Sequence, residues 1–356
     1  AKDFYKPFDE MTLDAAYPDI AGYKGHFALG YHVQFEDPLQ YDRFNADLSF
    51  SPAGDLPHGQ QLHGELSFQT LFWHFTYWHN LSDFYDLFGP TERSRKGDAL
   101  ETGYHDVLIY DLPEQLDFSA DLNFYSGLDT LPGAQNIVSN DHDMATAKIG
   151  FDYVNVDKSL GAIDYEAGYQ GNIHLITDYA HGQAYPKLHA GFDFGFALPW
   201  AHSSLWFYNS AGATSGNAGN VLDYFYLGSF GNNYVDDREI KRYRDFDSFP
   251  GFGIDEISAR DFAKSTAEFN FPPLRFEDIG TESFYLNSLR SSVFGGVLEA
   301  DPGLANYKQL EDLGFQLDWN FTIAVRLPMT LSLGDALGFE SGRPYRNEIM
   351  VSLKIL

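Results

Sequence analysis

Apolar and polar residues alternate for thirteen positions near the C-terminal end of the chain, in the stretch FQLDWNFTIAVRL from Phe315 to Leu327. The odd positions are all apolar, and the even positions are nearly all polar or small. Because successive side chains of a strand point to opposite faces, the stretch predicts one β-strand with an apolar face and a polar face. A strand that crosses a bilayer at a tilt needs roughly 9–11 residues, whereas strands of soluble proteins usually have about five or six. The length therefore favours a membrane crossing.

The same alternation recurs along the whole sequence, for example at residues 23–35, 161–176 and 187–198. No shift in composition marks a domain boundary, so we predict a single all-β domain over residues 1–356. Counting the alternating stretches predicts between roughly 14 and 18 transmembrane strands. An open sheet edge in lipid would leave backbone groups unpaired at several kcal/mol each, so we expect a closed antiparallel β-barrel.

The connections between these stretches alternate in length. Short turns are predicted at residues 37–38 and 112–113, and longer Gly- and Asn-rich loops at 79–99 and 126–143. Short turns on one side and long loops on the other are typical of barrels in the bacterial outer membrane. The alternation therefore places the barrel in that membrane.

Composition is consistent with a strand-based membrane protein. Aromatic residues make up 17% of the chain, with 32 Phe and 23 Tyr, yet the mean hydropathy is −0.31. No run of about 18 apolar residues exists, which excludes a helical membrane span. The chain has no cysteine, which excludes disulfides and thiolate metal sites.

The formal net charge of −28 argues against nucleic acid as a partner. It suits a cation-attracting lumen, or acidic loops that divalent cations bridge to lipopolysaccharide, and acidic loops kept for solubility would produce it too. We predict no other cofactor and no metal site. The chain begins at Ala1, which fits either a trimmed secreted precursor or a domain of a longer chain.

Tryptophans lie near the predicted strand ends or on oily faces, where an aromatic girdle meets the membrane–water interface. Stacking platforms for sugars or bases are the alternative. The girdle residues that we predict are Trp73, Trp78, Trp200, Trp206 and Trp319.

Catalytic chemistry finds little support in the sequence. It contains no nucleophile elbow, no HExxH zinc motif and no phosphate loop. The Asp141-His142-Asp143 triple can bind a metal only with a further ligand, and we interpret it instead as part of a solvated polar loop. We predict that the protein is not an enzyme and has no catalytic residues.

Several segments from Tyr226 onward resemble the barrels of the bacterial surface-antigen superfamily, which includes the outer-membrane assembly factor and the transporters of two-partner secretion. The segments are YLG at 226–228, KRYRDF at 241–246, FPGF at 249–252, AEFNFPP at 267–273 and LRSSVF at 289–294. Residues 84–96, with Phe-Gly-Pro-Thr before a basic cluster, resemble the C-terminal barrel of proteins that carry a TolB-like propeller. The superfamily resemblance implies about 16 strands, as expected for outer-membrane barrels.

In that superfamily an arginine-bearing loop folds back into the lumen, where its Arg meets an acidic group on the inner wall. The resemblance therefore implies a lumen-folded loop latch built from Arg242 or Arg244 and from Glu268. Alternation places Glu268 on the polar face of its strand, opposite Phe269. The usual Arg-Gly-aromatic motif is replaced by Arg242-Tyr243-Arg244, so the sequence leaves the choice of arginine open. The final strand ends in Leu356 rather than in an aromatic residue.

The resemblance implies protein or lipid translocation or assembly at the outer membrane of a Gram-negative bacterium. Expected partners are outer-membrane lipid, lipopolysaccharide and a protein or periplasmic module supplied separately. The alternative is a non-enzymatic structural anchor or passive pore that binds a partner through its extracellular or periplasmic face.

Overall fold

A computed structural model describes residues 5–23, 26–52, 54, 56–82, 93–135, 141–215, 219–231, 235–236 and 239–355. The fold is all-β, as predicted. The helices of the described residues are 3-10 turns of three or four residues, and none has the length and apolar character that a membrane crossing requires. The long strands, which we number β1 to β16, are Thr12–Tyr23, His26–Glu36, Arg43–Phe50, Leu62–Gln69, Trp73–Ser82, Arg93–Asp111, Glu114–Gln135, Met144–Asp157, Ala167–Ala180, Gln183–Ala197, Ser204–Thr214, Asp261–Asn270, Phe284–Ala300, Lys308–Ile323, Leu327–Glu340 and Arg346–Ile355.

Each long strand pairs antiparallel with the next one along the chain, in one continuous sheet. The meander continues from β11 directly to β12, although more than forty residues separate them in sequence. Among the described residues no pairing joins β1 to β16, so closure and the total strand number of the barrel stay predictions. The short strand Val235–Asp236 pairs in parallel with Leu353 and Lys354 on β16.

The two faces of this sheet have the reverse polarity of a soluble protein. On β9, Tyr169, Ile173 and Leu175 are exposed to solvent. The opposite face of the same strand carries Gln170 and His174, which hydrogen-bond to carboxylates of neighbouring strands. The same inversion places polar side chains among the most buried residues of the molecule. They include Lys264, Glu268, Gln316, Asp318 and Thr330.

Residues 219–231, 235–236 and 239–260, which we call the inserted segment, lie between β11 and β12 in sequence and pack against the inner face of the sheet. The segment begins with Phe225–Leu227, which pairs with Ile257–Ala259 in a small two-stranded sheet. Its apolar side chains form two buried clusters with inward-facing residues of β12 to β16. The first cluster contains Phe225, Leu227, Phe249, Phe252, Ile257, Ala259, Phe262, Leu298, Ala300 and Leu310. The second contains Phe230, Tyr243, Phe294, Ala336 and Met350.

Several boundaries differ from the sequence prediction. The loop predicted at 79–99 is shorter, because Trp73–Ser82 and Arg93–Asp111 are strands, and the strand predicted from residue 161 begins at Ala167. The alternating stretch from Phe315 to Leu327 is not one strand, because β14 ends at Ile323 and a turn with positive φ at Ala324 and Val325 follows. The alternation continues across this turn only because the apolar residues at the start of β15, like those of β14, occupy odd-numbered positions. The loop predicted at 126–143 is strand as far as Gln135, since β6 and β7 extend as a long hairpin. Polar residues can pair in strands where a hairpin projects beyond the bilayer.

The exposed apolar face predicts a strong effect of a charge placed on it. Ile173, which is 47% exposed, lies near the middle of β9. In lipid vesicles, Ile173→Arg should lower the free energy of unfolding in urea by about 2–4 kcal/mol, because the guanidinium would lie in hydrocarbon. Leu160→Arg is the matched control, since Leu160 is fully exposed in the connection between β8 and β9. Equal effects of the two substitutions would contradict a lipid-facing surface.

Candidate functional site

Arg244 of the inserted segment meets Glu268 of β12 inside the sheet. Arg244 Nε lies 3.0 Å from Glu268 Oε2, and Arg244 Nη2 lies 2.6 Å from Glu268 Oε1. This is the bidentate geometry that matches a guanidinium to a carboxylate. Arg244 Nη2 also donates to Asp164 Oδ2 at 2.8 Å, and Asp164 lies in the connection between β8 and β9. The arginine therefore links the inserted segment to two parts of the wall.

Lys241 supplies a second positive charge to the same carboxylates. Its Nζ lies 3.2 Å from Glu268 Oε1 and 3.4 Å from Asp164 Oδ2, and it donates to Asn270 Oδ1. Glu268 has no exposed surface and Lys241 is buried. Two cations and two carboxylates thus form one compact charge-balanced group, which we call the latch: Lys241, Arg244, Asp164 and Glu268.

Arg242 points away from Glu268. Its Nε lies 3.2 Å from Asp245 Oδ2 within the inserted segment. Residues 242–244 form one 3-10 turn, so side chains two residues apart leave it in different directions. Of the two arginines that the sequence leaves open, the structure brings only Arg244 to Glu268.

At three latch residues, Asp164, Arg244 and Lys241, burial and the charges of neighbouring groups shift the pKa in opposite directions. Burial alone would raise the pKa of the Asp164 carboxyl, but Arg244 and then Lys241 outweigh it and hold that pKa well below its usual range. Burial also opposes the charged form of Arg244, yet Glu268 and the other acidic neighbours raise its pKa further above its ordinary value. Burial lowers the pKa of Lys241, against the attraction of Glu268.

Neighbouring contacts fix the turn that presents the latch. The Tyr243 hydroxyl lies 2.9 Å from Ser292 Oγ on β13, and its ring stacks on Phe294 with centroids 4.2 Å apart. Lys264 of β12 donates to the carbonyl oxygen of Ser248 at 2.8 Å. Tyr243 precedes Arg244 in sequence and Ser248 follows it, so β13 and β12 fix the chain on either side of the arginine.

A cavity of about 820 Å³ lies between the inserted segment and the inner face of β8 to β11. Arg244 lies over the Tyr208 ring at 5.1 Å on its border. Within the described residues, polar atoms of Asn172, His189 and Ser210 are buried on this wall without a hydrogen-bond partner. Such atoms ordinarily bind water in proteins, and they give the cavity a polar lining. Across the described ranges, no three His, Asp or Glu side chains converge to hold a metal ion.

The five tryptophans predicted to form an aromatic girdle do not all lie on the outer face, and for those that do the girdle stays a prediction. Trp73 and Trp200 are exposed, and Trp319 shares the outward parity of Phe315 on β14. The prediction is wrong for Trp206, which is 3% exposed, faces inward and donates from Nε1 to the carbonyl oxygen of Tyr165 at 3.2 Å. Trp78 pairs in register with Glu65 on the inward parity of β5, so it too is misassigned. The flat Trp206 ring fits inside because Gly195 beneath it has no side chain.

Sequence reasoning missed Lys241 and Asp164 as latch residues. Lys241 stands directly before Arg242, which was a signal in the sequence, whereas Asp164 lies in a connection, where strand alternation does not apply. The basic residues near 93–96 are described only in their backbone, and residues 83–92 lie outside the described residues. The likeness of this stretch to barrels that follow a TolB-like propeller therefore stays a prediction.

Comparison with known proteins gives structural neighbours alone. No protein-family model matches the chain, and no curated protein matches its sequence. The chain is similar to BamA from Haemophilus ducreyi lacking POTRA domains 1–3, at 12% identity and a TM-score of 0.49, covering 97% of this chain and 70% of that one.

CdiB from Escherichia coli is similar at 12% identity and a TM-score of 0.46, covering 97% of this chain and 61% of that one. CdiB from Acinetobacter baumannii is similar at 11% identity and a TM-score of 0.43, covering 98% of this chain and 60% of that one.

The latch geometry predicts which substitutions open the lumen. Arg244→Ala and Glu268→Ala should each raise ion conductance in a planar bilayer and lower stability by about 3–5 kcal/mol, because each leaves the buried latch with an uncompensated net charge. Arg242→Ala is the matched control, since Arg242 pairs only within the segment, and it should conduct and melt like the parent. Parent-like conductance and melting of both latch variants would contradict the assignment.

Proposed function

We propose that this protein is an outer-membrane β-barrel of the surface-antigen type that takes part in protein or lipid translocation or assembly at the outer membrane. The observation that supports it is the meeting of Arg244 with Glu268 inside a sheet whose other face is apolar. The sequence resemblance implies this contact between an arginine-bearing loop and the inner wall. The two partners are 24 residues apart in sequence and lie on different elements.

The exposed apolar face of the strands fits lipid as its surroundings. A continuous apolar surface of this size would be unfavourable in water, whereas an outward apolar band is the rule for outer-membrane barrels. In this position the apolar face of the strands would contact outer-membrane lipid and lipopolysaccharide. Divalent cations that bridge acidic loops to lipopolysaccharide fit the net charge of −28.

The latch gives the inserted segment a function as a movable closure of a single barrel domain over residues 1–356. The segment covers the inner face of β12 to β16, and its release would enlarge the polar cavity beside β8 to β11. A protein partner or periplasmic module supplied by a separate chain would deliver the substrate. The protein acts without enzymatic chemistry in this proposal.

A second candidate function is a structural anchor or passive pore whose loops bind a partner. The cavity of about 820 Å³ favours it, because a polar space beside the segment is compatible with passage of small ions while the latch is closed. In that case the latch would set the pore width and would play no part in substrate delivery.

Removal of the gene from the bacterium that encodes it separates the two functions. Translocation or assembly predicts the loss of particular outer-membrane or secreted components, restored by the parent protein and not by Glu268→Ala at equal abundance. Arg242→Ala, which keeps the latch, should restore them. An unchanged outer-membrane and secreted inventory in the deletion strain would contradict translocation and favour the anchor or pore.

A further inference from the structure

We infer that Glu348 on the final strand β16 is a second anchor of the inserted segment, independent of the latch. The inference deepens the proposed closure, on which it rests, by assigning a second positioning residue. Release of the segment then requires the loss of two separate attachments, one on β12 and one on β16.

The Glu348 carboxylate accepts two backbone hydrogen bonds from the inserted segment. Phe230 N donates to Oε1 at 3.2 Å, and Gly251 N donates to Oε2 at 2.9 Å. The two donors come from the two sides of the latch turn, which lies between them in sequence. Because the two oxygens of one carboxyl group accept from donors on either side of the latch turn, one side chain holds both limbs of the segment.

The second limb also touches the wall by close backbone contact. Gly251 has φ of +87°, and a Cβ at this position would lie 2.4 Å from Gly338 N on β15. A Cβ on Gly338 would in turn lie 2.6 Å from Gly251 O. Only glycine at both positions permits this approach, which places the Gly251 N–H within reach of Glu348.

The anchor at Glu348 and the latch lie on different strands of the wall. Glu268 and Lys241 act at β12, whereas Glu348 lies on β16 beside the buried cluster of Phe230, Phe294 and Met350. The bonds to Glu348 involve backbone N–H groups and no charged side chain of the segment. Loss of Arg244 therefore leaves the limbs at Phe230 and Gly251 attached, and loss of Glu348 leaves the ion pairs intact.

Cysteine accessibility measures release directly, because the chain contains no cysteine. Ser248 lies between Arg244 and Gly251 and is 2% exposed, so Ser248→Cys reports opening of the segment. The probe is a membrane-impermeant maleimide applied to the full chain in lipid vesicles. Ser283→Cys, at an exposed turn, gives the rate for an open site.

In the Ser248→Cys background we expect Arg244→Ala and Glu348→Ala each to speed labelling about tenfold, and their combination about a hundredfold, since independent attachments multiply. Glu348→Gln should give a smaller increase than Glu348→Ala, because the amide keeps one oxygen acceptor and replaces the other with an NH2 donor. Asn347→Ala is the matched control. Asn347 lies next to Glu348 on the outward parity, bonds to Asp335, and should leave the rate unchanged.

Labelling of Glu348→Gln and Glu348→Ala at the parent rate would overturn the second anchor. If Glu348→Ala fails to fold, the rate of Glu348→Gln alone decides the question. An effect of Glu348 without an effect of Arg244 would overturn the proposed latch and leave the anchor standing. Faster labelling of Arg244→Ala together with parent-like labelling of the Glu348 variants would overturn the second anchor and leave the latch standing.

Discussion

A carboxylate with no exposed surface, Glu268, constrains the inner half of this molecule. A buried charge costs several kcal/mol unless a counter-charge and hydrogen bonds compensate it. Arg244 and Lys241 provide that compensation, and both belong to the inserted segment. The segment therefore cannot leave the wall without exposing an unpaired charge on each side. This reciprocal cost favours the attached position of the segment.

The inverted polarity of the sheet explains why the segment lies where it does. The outer face is apolar and suits lipid, which leaves the polar groups of every strand to face the interior. A segment rich in Phe and Gly would expose its aromatics in water, whereas against β12 to β16 it buries Phe249 and Phe252 among inward apolar side chains. Polar wall residues such as Lys264 then bond to its backbone.

The sequence predicted the fold class and the two faces well because strand alternation is a local signal. Boundaries were less accurate, since parity alone does not show the turn at Ala324 and Val325. The Trp206 error has a similar origin: position near a strand end suggested the girdle, while its even parity with Tyr208 pointed inward.

The site itself could be predicted only through the resemblance and the parity of Glu268. The choice of Arg244 over Arg242 depends on the 3-10 turn, and Asp164 enters through a connection between other strands. Glu348 shares its parity with Met350 and Ser352, so its inward direction was readable from the sequence. Its partners are backbone N–H groups, and no residue pattern marks them.

A double-mutant cycle of Arg244→Ala and Glu268→Ala, followed by urea unfolding in lipid vesicles, tests the central claim most directly. The account predicts a coupling free energy of about 2–3 kcal/mol, because the double variant removes both buried charges and escapes the penalty that each single variant suffers. Strictly additive effects of the two substitutions would contradict a buried ion pair between the inserted segment and the inner wall.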